Sequence, residues 1–345
     1  MTDRRNSVME TAKVYYSYLD VLKGIAILLM VMGHVIPWTL DKSFIHQPVL
    51  SLSGNELYLS LVYKIIYSFH MPLLFFVSGF LFYKPIKRND KFFQKTLTKR
   101  INRILIPYFF TGSLLLVSRG HWGYWFLQCL FFVDLLVAAL MLITSKYHLN
   151  YKKEFILYSV VGAFLYAFGK VFSSLEDETL GIVVIGRLFM YYPAFVLGFF
   201  MNKYMKLKEF FMNRYIVFSS FVLYIITFIL CGTKIPIIGF ISSVLLPLTM
   251  IVYLYHLCCN KFKSGGWVIA YIGRNSMEIY LLHSFFVMIF KEVGVYMISL
   301  NSLVICVTFQ IVYSFVLSVI AITLSILMAN FLKGSSILKK LLFGL

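Results

Sequence analysis

The chain has 345 residues, 60% of them hydrophobic and 13% charged, whereas soluble domains are about half apolar and a quarter charged, so water is not its main solvent. A formal net charge of +18 raises the idea of a nucleic-acid binder, but the Lys and Arg residues fall between apolar runs rather than along one binding face, which excludes it. The length leaves room for about ten spans of ~20 residues joined by short loops, in one domain.

The opening residues MTDRRNSVMETAKVYYSYLD carry Arg4 and Arg5 but neither the apolar core nor the small-residue cleavage site of a signal peptide. Apolar runs then predict spans at 21–37, 57–83, 104–118, 124–143, 155–171, 182–201, 215–231, 235–257, 267–290 and 299–332. A cytoplasmic N-terminus puts most of the 32 Lys and Arg on one side, the densest group running from Lys84 to Arg103. The outer loops hold only Lys42, Arg119, Lys234 and Lys291, and 172–181 is acidic through Glu176, Asp177 and Glu178. This is the positive-inside pattern. It predicts an all-α polytopic membrane protein of about ten transmembrane helices with both termini cytoplasmic: a tail at 1–19, a membrane domain at 20–332 and a tail at 333–345. The five cysteines lack CxxC or metal spacing and read as packing residues, so neither a disulfide framework nor a metal site is expected.

Charges and imidazoles inside hydrocarbon are costly, which makes them functional candidates. In the first span Asp20 and Lys23 sit at the inner mouth and His34 lies eleven residues past Lys23, ~16 Å along a helix. In the second span, of opposite direction, His70 lies fourteen residues before Lys84, ~21 Å from the inner surface. Pro72 beside it removes a backbone donor and predicts a kink of the kind that lines a cavity. The ninth span puts Glu278 ~16 Å past Trp267, with His283 a further turn and a half outward. A buried imidazole is the usual general base, and a nearby carboxylate such as Asp20 or Glu278 is expected to orient it. His283 reads more readily as a packing histidine, and Glu278 has Arg187 or Lys64 as alternative structural partners.

The basic stretch ends in Lys99, Arg100 and Arg103, which lead straight into Ile104-Leu105-Ile106-Pro107-Tyr108. Most of it reads as an inner loop touching anionic headgroups. Its last turn is a fork of cations at a helix start, suited to the phosphates of a cofactor such as coenzyme A.

Taken in order, these motifs resemble the acyltransferase 3 family, in particular its stand-alone members similar to fucose 4-O-acetylases and polysaccharide O-acetyltransferases. The likeness runs over about residues 20–330. The family's first-helix signature, a basic residue and a histidine eleven positions later, is met by Lys23 and His34, with Lys where Arg is commoner. FHMPLLFFVSGFLF at 69–82 resembles the second-helix motif, its Ser-Gly-Phe falling on Ser78, Gly79 and Phe80. RINRILIPYFF at 100–110 is similar to the family's basic helix start, and WFLQCLFFVDLL, YYPAFVLGFF and IGRNSMEIYLLHSFF resemble later landmarks. Lys23 lacks the bidentate fork of Arg, so anion contacts there differ.

The resemblance implies a ten-helix fold, a cytosolic acyl-CoA donor (acetyl-CoA the expected co-substrate, no metal), an essential His34, and an acceptor in a cell-surface glycan or its lipid-linked precursor. No fused hydrolase-like domain is expected after 332, which favours a one-protein reaction at the inner, cytoplasmic membrane. Lys23, Arg100, Arg103 and Ser78 are the expected CoA contacts; His34, Asp20, Glu278 and His70 the expected catalytic set. Trp122, Tyr124 and Trp125 offer rim aromatics for a sugar, although as interfacial belt residues they are ordinary. Membrane lipid is the other expected partner, and a homodimer is compatible with such a chain. Two rival readings stay open: a transporter or flippase using the buried His and Glu as a proton relay, and a non-enzymatic membrane partner.

Overall fold

The computed structural model describes residues 2–39, 47, 49–52, 54–84, 91–119, 123–172, 185–231, 235–262, 266–287 and 302–345. Trp122, the acidic group Glu176, Asp177 and Glu178, and the loop cations Lys42, Lys234 and Lys291 lie outside them. All regular structure among the described residues is helical. In chain order the helices are α1 (Thr2–Thr39), α2 (Gly54–Phe82), α3 (Phe92–Arg100), α4 (Ile106–Arg119), α5 (Trp125–Lys146), α6 (Tyr151–Phe172) and α7 (Ile185–Lys203). There follow α8 (Met205–Met212), α9 (Arg214–Leu230), α10 (Pro236–Lys261), α11 (Trp267–Arg274), α12 (Ser276–Val287), α13 (Leu303–Leu332) and α14 (Ser336–Phe343).

Among the described residues six helical stretches are long and apolar enough to cross a membrane: 17–36, 56–82, 92–118, 125–146, 237–261 and 303–332. The pair α8 and α9, bent by 72°, makes up to seven. The protein is therefore an all-helical, multi-pass membrane protein. The predicted runs at 155–171, 182–201 and 267–290 fall on α6, on α7 and on the broken pair α11 and α12, which this criterion does not include. The third span is longer than the short run expected at 104–118. A π-helical turn at Ile101–Leu105 joins α3 to α4, and Lys95, Lys99 and Arg103 stay exposed along that stretch, so hydropathy alone cuts the helix short. Pro107 lacks the N–H that would satisfy the Arg103 carbonyl, and a widened turn just before it relieves the clash.

By internal packing the chain forms two compact units, 1–77 with 206–329 and 78–205 with 330–345. In the first, α1 crosses α11 through two glycines: a Cβ on Gly24 would overlap the Ile269 carbonyl, and one on Gly273 would overlap the Asp20 carbonyl and crowd the Gly24 nitrogen. Lipid tails are as apolar as Leu, so membrane helices associate through such close backbone approach and through interhelical hydrogen bonds. The α13 helix shows the same logic, with Ser314, Ser318, Ala321 and Ser325 buried while Val304, Val312 and Leu327 face outward. Fully buried Gln310 on this helix donates from Nε2 to the Tyr58 carbonyl of α2 (3.0 Å). Elsewhere, Ser68 and Tyr224 share a hydroxyl hydrogen bond of 3.0 Å between α2 and α9.

The second unit closes α2 on α7 in the same way, since a Cβ at Gly79 would overlap the Phe195 carbonyl and Asn202 Nδ2 donates to the Phe80 carbonyl at 2.6 Å. The Ser-Gly-Phe motif is thus a helix-packing notch. Further along, Tyr192 donates to the Tyr158 carbonyl (3.1 Å) between α7 and α6. Glu154, fully buried at the start of α6, takes both oxygens to Lys203 Nζ (2.6 Å each) and accepts from the Tyr204 hydroxyl. The short α14 returns to α4 and the π-turn, where Gly344, at φ +62°, rests against the backbone of Asn102 and Arg103.

Candidate active site

His34 sits near the end of the apolar part of α1, half-buried. Its Nδ1 lies 2.8 Å from His283 Nε2 on α12, the two rings meeting edge to edge with planes inclined by 26° and centroids 5.0 Å apart. Tyr67 of α2 stands 6.5 Å from the His34 ring and 4.8 Å from that of His70. His70 is fully buried and its Nδ1 bonds the Ile66 carbonyl at 2.8 Å. The His34 ring of α1 is thus met by α12 through His283 and by α2 through Tyr67. What holds them in register is the glycine crossing: from the Gly24–Gly273 contact both chains run ten residues to the His34–His283 contact. Among the described residues no three His, Cys, Asp or Glu side chains are arranged to hold a metal ion.

His283 is the residue that sequence reasoning passed over. A lone histidine on an apolar face is ordinarily a packing residue, and the signal that would have singled it out, equal distance from facing glycines, exists only once the helices are paired. The carboxylates expected to orient His34 are placed otherwise. Asp20 is ion-paired with Lys23 at 2.7 Å, fourteen residues from His34 and so ~21 Å along the helix; it acts on the cation and not on the imidazole. Glu278 is buried in the first turn of α12, where a helix N-terminus favours an anion. It lies five residues from His283, roughly 140° around the helix, and so faces another side.

The remaining expected residues belong to the second unit. Ser78 is its first residue and half-buried. Arg100 is committed to a partner: its Nε lies 2.9 Å from Oδ2 of Asp134, a fully buried carboxylate on α5, and its guanidinium lies over the Phe82 ring at 5.3 Å. Neither Asp134 oxygen completes a hydrogen bond. Arg103, one turn on, is exposed. Of the rim aromatics, Tyr124 is buried in a left-handed conformation at φ 70°. Trp125 is packed by the Tyr191 ring (5.2 Å) and the Arg187 guanidinium (5.1 Å).

Comparison with known proteins places the chain in a family. The chain is 30% identical over 200 residues to the nodulation protein NolL of Sinorhizobium fredii, covering 52% of this chain and 47% of that protein. It is 31% identical over 96 residues to the nodulation protein NolL of Mesorhizobium japonicum, covering 28% and 22%. The matches thus span less than half of either relative's length. No solved structure matches. The family model for the acyltransferase domain matches residues 16–330, nearly the whole chain, and the chain belongs to the acyltransferase 3 family of membrane acyltransferases.

Proposed function

We propose that the protein is an O-acyltransferase of the cell's cytoplasmic membrane that moves an acetyl group from cytosolic acetyl-CoA to a hydroxyl of a cell-surface glycan or its lipid-linked precursor, with His34 as general base. The observation that supports this reading is a half-buried imidazole, bonded to a second imidazole, at a three-helix convergence in an otherwise apolar bundle. An imidazole is the type of group that takes a hydroxyl proton and returns it to a leaving thiolate.

In the reaction the acceptor oxygen attacks the thioester carbonyl while His34 takes its proton. Collapse of the tetrahedral adduct forms the ester and breaks the C–S bond, and the departing thiolate of coenzyme A recovers the proton from His34. Lys23, paired with Asp20, is the proposed partner of the CoA phosphates. His70 is proposed to position a sugar hydroxyl through Nε2, because its Nδ1 is committed to the Ile66 carbonyl.

The test is transfer of radiolabel from acetyl-CoA to the glycan fraction by membranes carrying the protein. The His34→Ala variant is expected to lose about 100- to 10,000-fold in rate, the usual worth of a positioned base. Unchanged labelling in that variant overturns the role of His34, and glycan movement across the membrane without labelling by the wild type points to a transporter instead.

A further inference from the structure

We infer that His283 is a positioning residue that fixes the tautomer of His34, so that Nε2 of His34 is the nitrogen that takes the proton. The inference rests on the reading of His34 as base and deepens it.

The assignment follows from which atoms are able only to accept. His283 Nδ1 lies 2.8 Å from the Tyr280 carbonyl and 3.0 Å from that of Ile279. Both partners are carbonyl oxygens, so Nδ1 of His283 carries the hydrogen and donates it. A neutral imidazole has one N–H, which leaves His283 Nε2 as an in-plane lone pair. The atom 2.8 Å from that lone pair is His34 Nδ1, and it must be the donor. His34 is then neutral with its hydrogen on Nδ1 and its own lone pair on Nε2. The opposite polarity requires a second proton on His283, an imidazolium at a residue that is 2% exposed, and burying a cation is strongly unfavourable.

The same chain of bonds does something further during the reaction. When Nε2 of His34 takes a proton, the Nδ1–H···Nε2 bond to His283 becomes charge-assisted, and such bonds are shorter and about twice as strong as neutral ones. The gain appears as charge develops, which is where an interaction accelerates a reaction instead of only tightening substrate binding. His283 thus plays the part a carboxylate plays in a hydrolase triad, with an uncharged group better suited to a lipid-shielded interior. Its ring is itself held by the two backbone carbonyls of α12, so the orientation passes from helix to His283 to His34.

Four variants and one spectrum test this. His283→Phe keeps the ring volume and removes the acceptor; kcat is expected to fall about 30- to 100-fold, with KM for acetyl-CoA within about two-fold of wild type. His283→Gln places a side-chain oxygen where Nε2 stood and is expected to recover kcat to within about five-fold. If His283→Phe retains wild-type kcat while His34→Ala is inactive, the inference falls and the base stands; if His34→Ala is also fully active, the base falls and His283 with it. Equal losses in folded His283→Phe and His283→Gln also overturn the acceptor role. Independently of either His283 variant, nitrogen NMR of [15N]histidine-labelled wild-type protein in lipid nanodiscs, with the His34 signal identified by its loss in His34→Gln, is expected to show the proton on Nδ1. A proton on Nε2 overturns the assignment.

Discussion

The two units bury polar groups in opposite ways. Around His34 the first unit uses neutral imidazoles joined to each other and to backbone carbonyls. The second buries charges in pairs, Asp134 with Arg100 and Glu154 with Lys203, each carboxylate fully covered and each cation about one-fifth exposed. The contrast has a physical basis. A buried ion pair commits its members to each other, and removing one partner strands the other. A neutral imidazole pair carries no such commitment, so one member is free to cycle through a proton. The second unit's pairs are built to stay as they are, and the first unit's histidines are built to change.

The largest expected effect follows from that difference. Arg100→Met leaves the Asp134 carboxylate buried, with neither oxygen hydrogen-bonded, and is expected to destabilise by about 3–5 kcal/mol, whereas the double variant Arg100→Met with Asp134→Leu should recover most of the loss. Thermal unfolding in nanodiscs reads both. His283→Phe in the same assay should stay within about 1–3 kcal/mol of wild type. If Arg100→Met is no worse than His283→Phe, the two clusters do not differ in kind. Gly273→Ala comes next. Its Cβ overlaps the Asp20 carbonyl, so α1 and α11 must separate, at about 1–3 kcal/mol for overpacking. Because the glycine crossing sets the histidine register, kcat should fall more than stability suggests; an unchanged kcat would show that the register is set elsewhere.

Much of this was legible before any coordinates. Long apolar runs and the placement of Lys and Arg announce helices and a membrane, and His34 declares itself because an imidazole eleven residues inside a span after Lys23 is expensive there. Pairings were not legible. Asp134 stands in plain view in LFFVDLLV, but its partner lies 34 residues earlier in a basic run that read as a fork for phosphates, and a fork and a buried ion pair require the same residue types. His283 was hidden for the opposite reason. Its importance depends wholly on the ring that faces it, and two helices far apart in sequence meet there only because Gly24 and Gly273 let their backbones touch.

Gln310 supplies the smallest expected effect and the sharpest check on the first unit. It is fully buried on α13, with its Nε2 bonded to the Tyr58 carbonyl while its Oε1 finds no partner. One hydrogen bond between membrane helices averages about 0.6 kcal/mol, because the separated helices also satisfy their polar groups, and the orphaned oxygen offsets part of that. Gln310→Leu keeps similar volume and removes both the bond and the orphan, so unfolding should shift by less than about 2 °C. Acetyl transfer should be unchanged, since Gln310 bonds the Tyr58 carbonyl, twelve residues of α2 away from His70. A loss comparable to Arg100→Met would mean that the first unit also depends on single buried polar contacts, and that its neutral histidines differ from the second unit's ion pairs in charge alone.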